Sequence, residues 1–144
     1  PIPETEKVTG YHLHENSVSV ELPHGTLTME RVSKEYFEGG RLPDDFTDPQ
    51  VAYVDSSLLE FPLHIRSWHH GDTFSPLGMQ GRKLVSDFFT DEKFTPSQKE
   101  FAMVLLSGEQ IVWLIGHRID HRFRMRSESV TIRRFEWKGI YGII

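Results

Sequence analysis

Residues 65–83 read IRSWHHGDTFSPLGMQGRK. Leu63 and Ile65 alternate with His64 and Arg66, the two-residue period of a half-buried strand. Breakers follow at Gly71, Pro76, Gly78 and Gly81, so the strand opens into a long turn-dense loop. From Lys83 the period changes: Leu84, Val85, Phe88 and Phe89 fall on one helical face. A strand, a loop and a short helix in such quick succession predict an α+β domain. Loops of this length inside a packed domain tend to be functional.

On the N-terminal side, residues 1–10 carry Pro1, Pro3 and Gly10 and read as a linker tail. SVSVEL (17–22) and TLTMERV (26–32) alternate about the turn Pro23-His24-Gly25, which predicts a β-hairpin. The acidic run 33–48 reads as a loop with at most one helical turn, and VAYV (51–54) as a short buried strand. On the C-terminal side, Thr95-Pro96-Ser97-Gln98 is a helix start with a capping box and proline at the first position. Residues 104–115 form a second hairpin about Ser107-Gly108, 116–126 are irregular and basic, and 129–135 are a last strand. The apolar tail 139–144 is expected to pack or pair. The sum is mostly antiparallel strands in layered sheets with about two short helices. The chain divides into a linker tail (1–10), a hairpin and acidic loop (11–61) and a main domain (62–144).

With 144 residues and 38% hydrophobic content, one packed domain is expected. No cysteine is present, which excludes disulfides and thiolate zinc sites and fits a reducing cytoplasm. No run of 18 apolar residues suggests a membrane span, and no signal peptide is read. A chain opening Pro-Ile-Pro is expected to be a piece of a longer protein. The net charge of −5 conceals an asymmetry: residues 1–60 hold four Lys/Arg against twelve Asp/Glu, and 117–138 hold seven against three. Because binding follows the local field, the basic C-terminal part leaves nucleic acid open as a partner.

Several chemistries compete on the residues alone. His69-His70 and His117…His121, with Asp72 and Asp120, have metal-ligand residue types, but no Cys assists and no Glu follows His117; surface or backbone-bonded histidines are the expectation. Ser67, Ser75 and Ser86 lie outside any nucleophile motif. Gly78-Met79-Gln80-Gly81-Arg82-Lys83 precedes a helix, so backbone N–H groups with two cations suit a phosphate. The same loop reads equally as a turn with solvated cations. In 116–124, Arg118, Arg122 and Arg124 alternate with Ile119 and Phe123, and an arginine fork suits phosphate; Asp120 could instead pair with Arg118 or Arg122.

Two composite patterns carry a resemblance. R-x-W-x-x-G-D-x-F-x-P-L-G-M-x-G-x-K-x-x-x-D-F-F spans Arg66 to Phe89, and I-V-W-L-I-G-H-R-I-D-x-R-F spans Ile111 to Phe123. Together they resemble the C-terminal region of tRNA(Ile)-lysidine synthases, over roughly residues 62–126. That region resembles a domain of the phenylalanyl-tRNA synthetase β-subunit. The resemblance implies a parent ligase that joins lysine to the wobble cytidine of isoleucine tRNA, with ATP and Mg bound in an N-terminal domain. That domain's S-G-G-x-D-S type motif is absent here, so no cofactor and no catalysis are expected of this piece. Its implied role is to grip tRNA(Ile), notably by the acceptor stem, beside the catalytic domain of the same chain, with a homodimer possible. The resemblance points to Arg66, Arg82, Lys83, Arg118, Arg122 and Arg124 for RNA contact. It marks Gly71, Asp72, Phe74, Pro76, Gly78, Gly81, Asp87, Phe88, Gly116 and Asp120 as architectural. Where many members carry an arginine and a proline, this chain has Lys99, Glu100 and Val104. The alternative is a structural or protein-interaction domain, motivated by the apolar tail.

Overall fold

The computed structural model describes residues 8–140, apart from the side chains of Tyr36 and Glu38. In chain order the elements are β1 (Tyr11–Leu13), β2 (Ser19–Leu22), β3 (Gly25–Ser33), a 3-10 turn (Lys34–Gly40), β4 (Val51–Asp55), a 3-10 turn (Ser56–Leu58) and β5 (Leu63–Ser67). Then come β6 (Thr73–Phe74), β7 (Lys83–Leu84), α1 (Val85–Asp91), α2 (Pro96–Phe101), β8 (Met103–Ser107), β9 (Gln110–Leu114), β10 (Arg118–Ile119), a 3-10 turn (His121–Phe123) and β11 (Thr131–Gly139).

Two antiparallel sheets result. One has the order β1-β5-β8-β9-β10 and the other β2-β3-β11-β4; β6 and β7 pair separately. Leu27, Met29, Phe135 and Trp137 from the second sheet pack with Leu63, Ile65, Leu105 and Trp113 from the first. The other face of the first sheet, through Val104, Leu106 and Leu114, receives Val85, Phe88 and Phe89 of α1. A strand covered on both faces has no polar side to show, which is why β8 reads as an unbroken apolar run. Full burial of Phe88 and Phe89 contributes roughly 1.5–3 kcal/mol each. The layering agrees with the α+β expectation.

Three readings of the sequence change. The helix expected from Lys83 starts at Val85, because Lys83 and Leu84 pair with Phe74 and Thr73 and the Val85 N–H donates to the Asp72 carbonyl at 2.9 Å. The final strand runs on to Gly139, paired with β3 along its whole length. The linker reading ends before Val8, which is 3% exposed and bonded to Ser67 through both its N–H and its carbonyl. Residues 1–7 of that tail, and 141–144 of the apolar tail, lie outside the described residues. Strand pairing crosses residues 61 and 62 in both sheets: β1 pairs with β5, and β11 lies between β3 and β4. The two segments therefore fold as one packed unit.

Candidate nucleic-acid interface

The two motif stretches meet in space. The β6–β7 ladder closes the base of the glycine loop, and Pro76 forms a bridge with Asp120. Leu77 N–H donates to the Ile119 carbonyl at 3.0 Å, and His121 N–H to the Ser75 carbonyl at 2.7 Å. Asp120 is the joint. Its carboxylate is fully buried, caps the 121–123 turn, and accepts from Ser75 N–H at 2.8 Å and Arg122 N–H at 2.7 Å. Arg122 adds Nε at 3.0 Å and Nη2 at 2.9 Å. The pairing has the planar two-pronged geometry that guanidinium and carboxylate favour, and the Asp120 hydrogen bond holds the Arg122 guanidinium above its usual pKa.

Four of the six cations expected to meet RNA carry a carboxylate of their own. Arg66 grips Asp72 with both prongs, at 2.9 and 3.0 Å. Burial raises the Asp72 pKa, but Arg66 and the His69 N–H outweigh it and hold the carboxyl below its ordinary range. Lys83 bonds Asp91. Arg118 donates to the Leu77 carbonyl and Glu92 and lies over the Phe88 ring. The remaining two have neutral acceptors: Arg82 Nε meets Thr73 Oγ1 at 2.9 Å, and Arg124 Nη1 the His121 carbonyl at 2.8 Å. His121, whose carbonyl Arg124 meets, is bonded through its N–H to Ser75, two residues beyond Thr73.

Gly71, Gly78, Gly81 and Gly116 all adopt left-handed backbone, φ +96°, +85°, +75° and +81°. At Gly78 and Gly81 nothing would meet an added Cβ, so conformation and not space is what glycine supplies there. Phe74 and Phe88 are buried edge to face, with centroids 5.3 Å apart. Asp87 is exposed in the first turn of α1. Of the two readings the glycine loop left open, the geometry favours the turn: β7 separates Gly81 from α1, and the Val85 N–H donates to the Asp72 carbonyl.

His70, His117 and His121 have separate surroundings. His117 is half-buried against Phe94, centroids 4.5 Å apart, and burial pushes it down to about 4. His70 edges Trp68, while His121 supplies its backbone to Ser75 and Arg124. No group of three or more His, Asp or Glu is arranged to hold a metal among the described residues. Ser67 Oγ accepts from Val8 N–H, and the Ser86 carbonyl accepts from Thr90.

Sequence reasoning passed over two arginines. Arg134 on β11 gathers Asp45, Glu136 and Glu30, and Tyr53 beside it is pushed up to about 12 by burial and by Asp45. Arg133, its neighbour, is buried, 4% exposed, on the face shared by Phe135 and Trp137. The alternation of SVTIRRF puts Arg133 in register with Phe135, so its burial was readable.

No family model matches the chain. A tRNA(Ile)-lysidine synthase of Parabacteroides distasonis is 50% identical over 83 residues, covering 58% of this chain and 19% of that protein. One from Bacteroides thetaiotaomicron is 44% identical over 104 residues, covering 72% of this chain and 23% of that protein. One from Caldanaerobacter subterraneus is 28% identical over 116 residues. The chain thus spans 19–25% of the length of these curated relatives. Among solved structures, a crystal structure of a TILS C-terminal domain superposes with a TM-score of 0.70 at 16% identity, over 90% of this chain and 97% of that one. At that identity the likeness is one of fold.

Proposed function

This chain is a relative of the C-terminal region of tRNA(Ile)-lysidine synthases, and we propose that within such an enzyme it grips the tRNA substrate. Lysine ligation to the wobble cytidine of tRNA(Ile), with its ATP and Mg, falls to another part of a longer protein. The residues here do not fit that cofactor: the chain has no S-G-G-x-D-S run, and its glycine loop does not feed a helix N-terminus. The observation that supports the gripping role is the convergence of both motif stretches on buried Asp120, with Arg122 on its carboxylate and Arg118 on the Leu77 carbonyl. A double-helical stem would be met through phosphates and 2′-hydroxyls, by shape more than by sequence.

Because four of the cations are already paired, the salt dependence should be shallow, carried mainly by Arg82 and Arg124. The test is a salt-titrated binding assay of the chain with a duplex RNA of the tRNA(Ile) acceptor stem. Arg82→Gln with Arg124→Gln is expected to weaken binding and to lower the slope of log K against log salt by about one for each phosphate no longer neutralised. Unchanged affinity and slope would overturn this surface.

A further inference from the structure

A second basic feature lies on the other sheet, one strand from Arg124: Val54 of β4 pairs with Arg133 on one side and bridges Arg124 on the other. Arg31 of β3 and Arg133 of β11 stand directly opposite each other across the ladder. Like charges in that position repel and are ordinarily avoided. Both guanidiniums converge on one backbone oxygen, the Glu15 carbonyl: Arg133 Nη1 at 3.3 Å and Arg31 Nη2 at 3.5 Å. Arg31 also reaches Asn16 Oδ1 at 2.9 Å. Arg133 also meets the Met29 sulfur, at 3.3 Å, and the Phe61 ring, 4.7 Å away. Neither has an ion-pair partner among the described residues. Burial, and then the neighbouring Arg31, press against the charge on Arg133, with the Glu15 carboxylate a lesser opposing influence.

A buried arginine without a carboxylate is costly to keep, and a bound anion would offset that cost. The pair borders a groove of about 1260 Å³ that Lys34, Arg126, Ser33 and Ser129 also line, with Glu15 and Glu35 as its carboxylates. Four cations and two carboxylates line this groove, and Arg126 has its own partner in Glu128. Two planar forks converging on one point suit a tetrahedral oxyanion, which can accept from both.

We propose that Arg31 and Arg133 form an anion site that takes one phosphate group, and that this group is a backbone phosphate of RNA. The RNA assignment rests on the gripping role above; the phosphate site does not.

The experiment follows the arginine side-chain Nε–Hε signals of the full chain by NMR as inorganic phosphate is added, with chloride at matched ionic strength as the control. Both arginines are expected to shift along one saturating curve with phosphate alone. Arg31→Gln, at an exposed position, should abolish the shift while leaving the melting temperature near wild type. Arg133→Lys, which keeps the charge but loses the fork, should weaken it several-fold. No phosphate-specific shift overturns the site. In the RNA arm, Arg31→Gln should lower the salt slope for the stem duplex by about one. A phosphate shift with no change in RNA binding overturns the RNA assignment in favour of a free phosphate or a phosphorylated protein. Weaker RNA binding with Arg82→Gln/Arg124→Gln but not with Arg31→Gln overturns it while sparing the gripping role. Weaker binding with Arg31→Gln alone does the reverse.

Discussion

At the scale of single residues, Arg122 and Arg124 look interchangeable in the sequence and are opposites in the structure. Removing Arg122 leaves a fully buried carboxylate without its countercharge. Arg122→Ala is therefore expected to destabilise the chain by about 3 kcal/mol, against less than about 0.5 kcal/mol for Arg124→Ala, in urea unfolding. An alanine scan that ignored this would mistake unfolding for a weakened hold on RNA. His117 gives a pH signature. Its folded pKa is depressed to about 4 by burial, while unfolded it titrates near 6.5. Between those values the unfolded chain binds the extra proton, so stability falls as pH drops through that window. His117→Phe should flatten the slope of unfolding free energy against pH from 6.5 to 4, measured by denaturant titration at each pH. The Arg–Asp pairs were half legible. Arg66 with Asp72 and Arg122 with Asp120 are near in sequence. What the sequence does not carry is burial of the carboxylate, which decides that the pair is structural. Arg31 and Arg133 come from opposite ends of the chain and meet only through the β3–β11 register.

At the scale of elements, locally encoded structure was readable, the two hairpins included, and pairing between distant segments was not. The start of α2 is written in four consecutive residues, and both bonds of its capping box form: Thr95 N–H to Gln98 Oε1 at 2.8 Å and Gln98 N–H to Thr95 Oγ1 at 3.2 Å. Thr95→Ala should cost about 1 kcal/mol in thermal or urea unfolding, and Thr95→Ser much less. By contrast β6 and β7 are two residues each and have no periodicity to detect. They exist because the glycine loop returns Lys83 beside Phe74. That ladder displaces the start of α1 and, of the loop's two readings, favours the turn.

At the scale of the molecule, the layered α+β arrangement followed from strand periods and turn positions, and strand pairing ties residues 11–61 to the segment they lead into. Hydrophobic pattern reports how much of a strand is covered, and not by what. β4 is buried at every position, and its partner is the last strand of the chain. A piece comprising residues 62–140 would keep the motif loops while depriving β11 of both neighbours. It is expected to lack a cooperative unfolding transition and dispersed amide NMR signals, whereas residues 8–140 show both. A well-folded 62–140 piece would contradict this.

The position of β11 also sets a schedule. Nine residues at 131–139 form the interior of the second sheet, flanked by strands made about eighty to a hundred residues earlier. During synthesis, β2, β3 and β4 leave the ribosome without the strand that joins β3 to β4, and the Leu27–Met29 face waits uncovered for Phe135 and Trp137. The first sheet, complete by residue 119, can assemble sooner. The nascent chain thus carries an open sheet edge until residues 131–139 emerge, and that interval is when it is most exposed to chaperones and to mispairing.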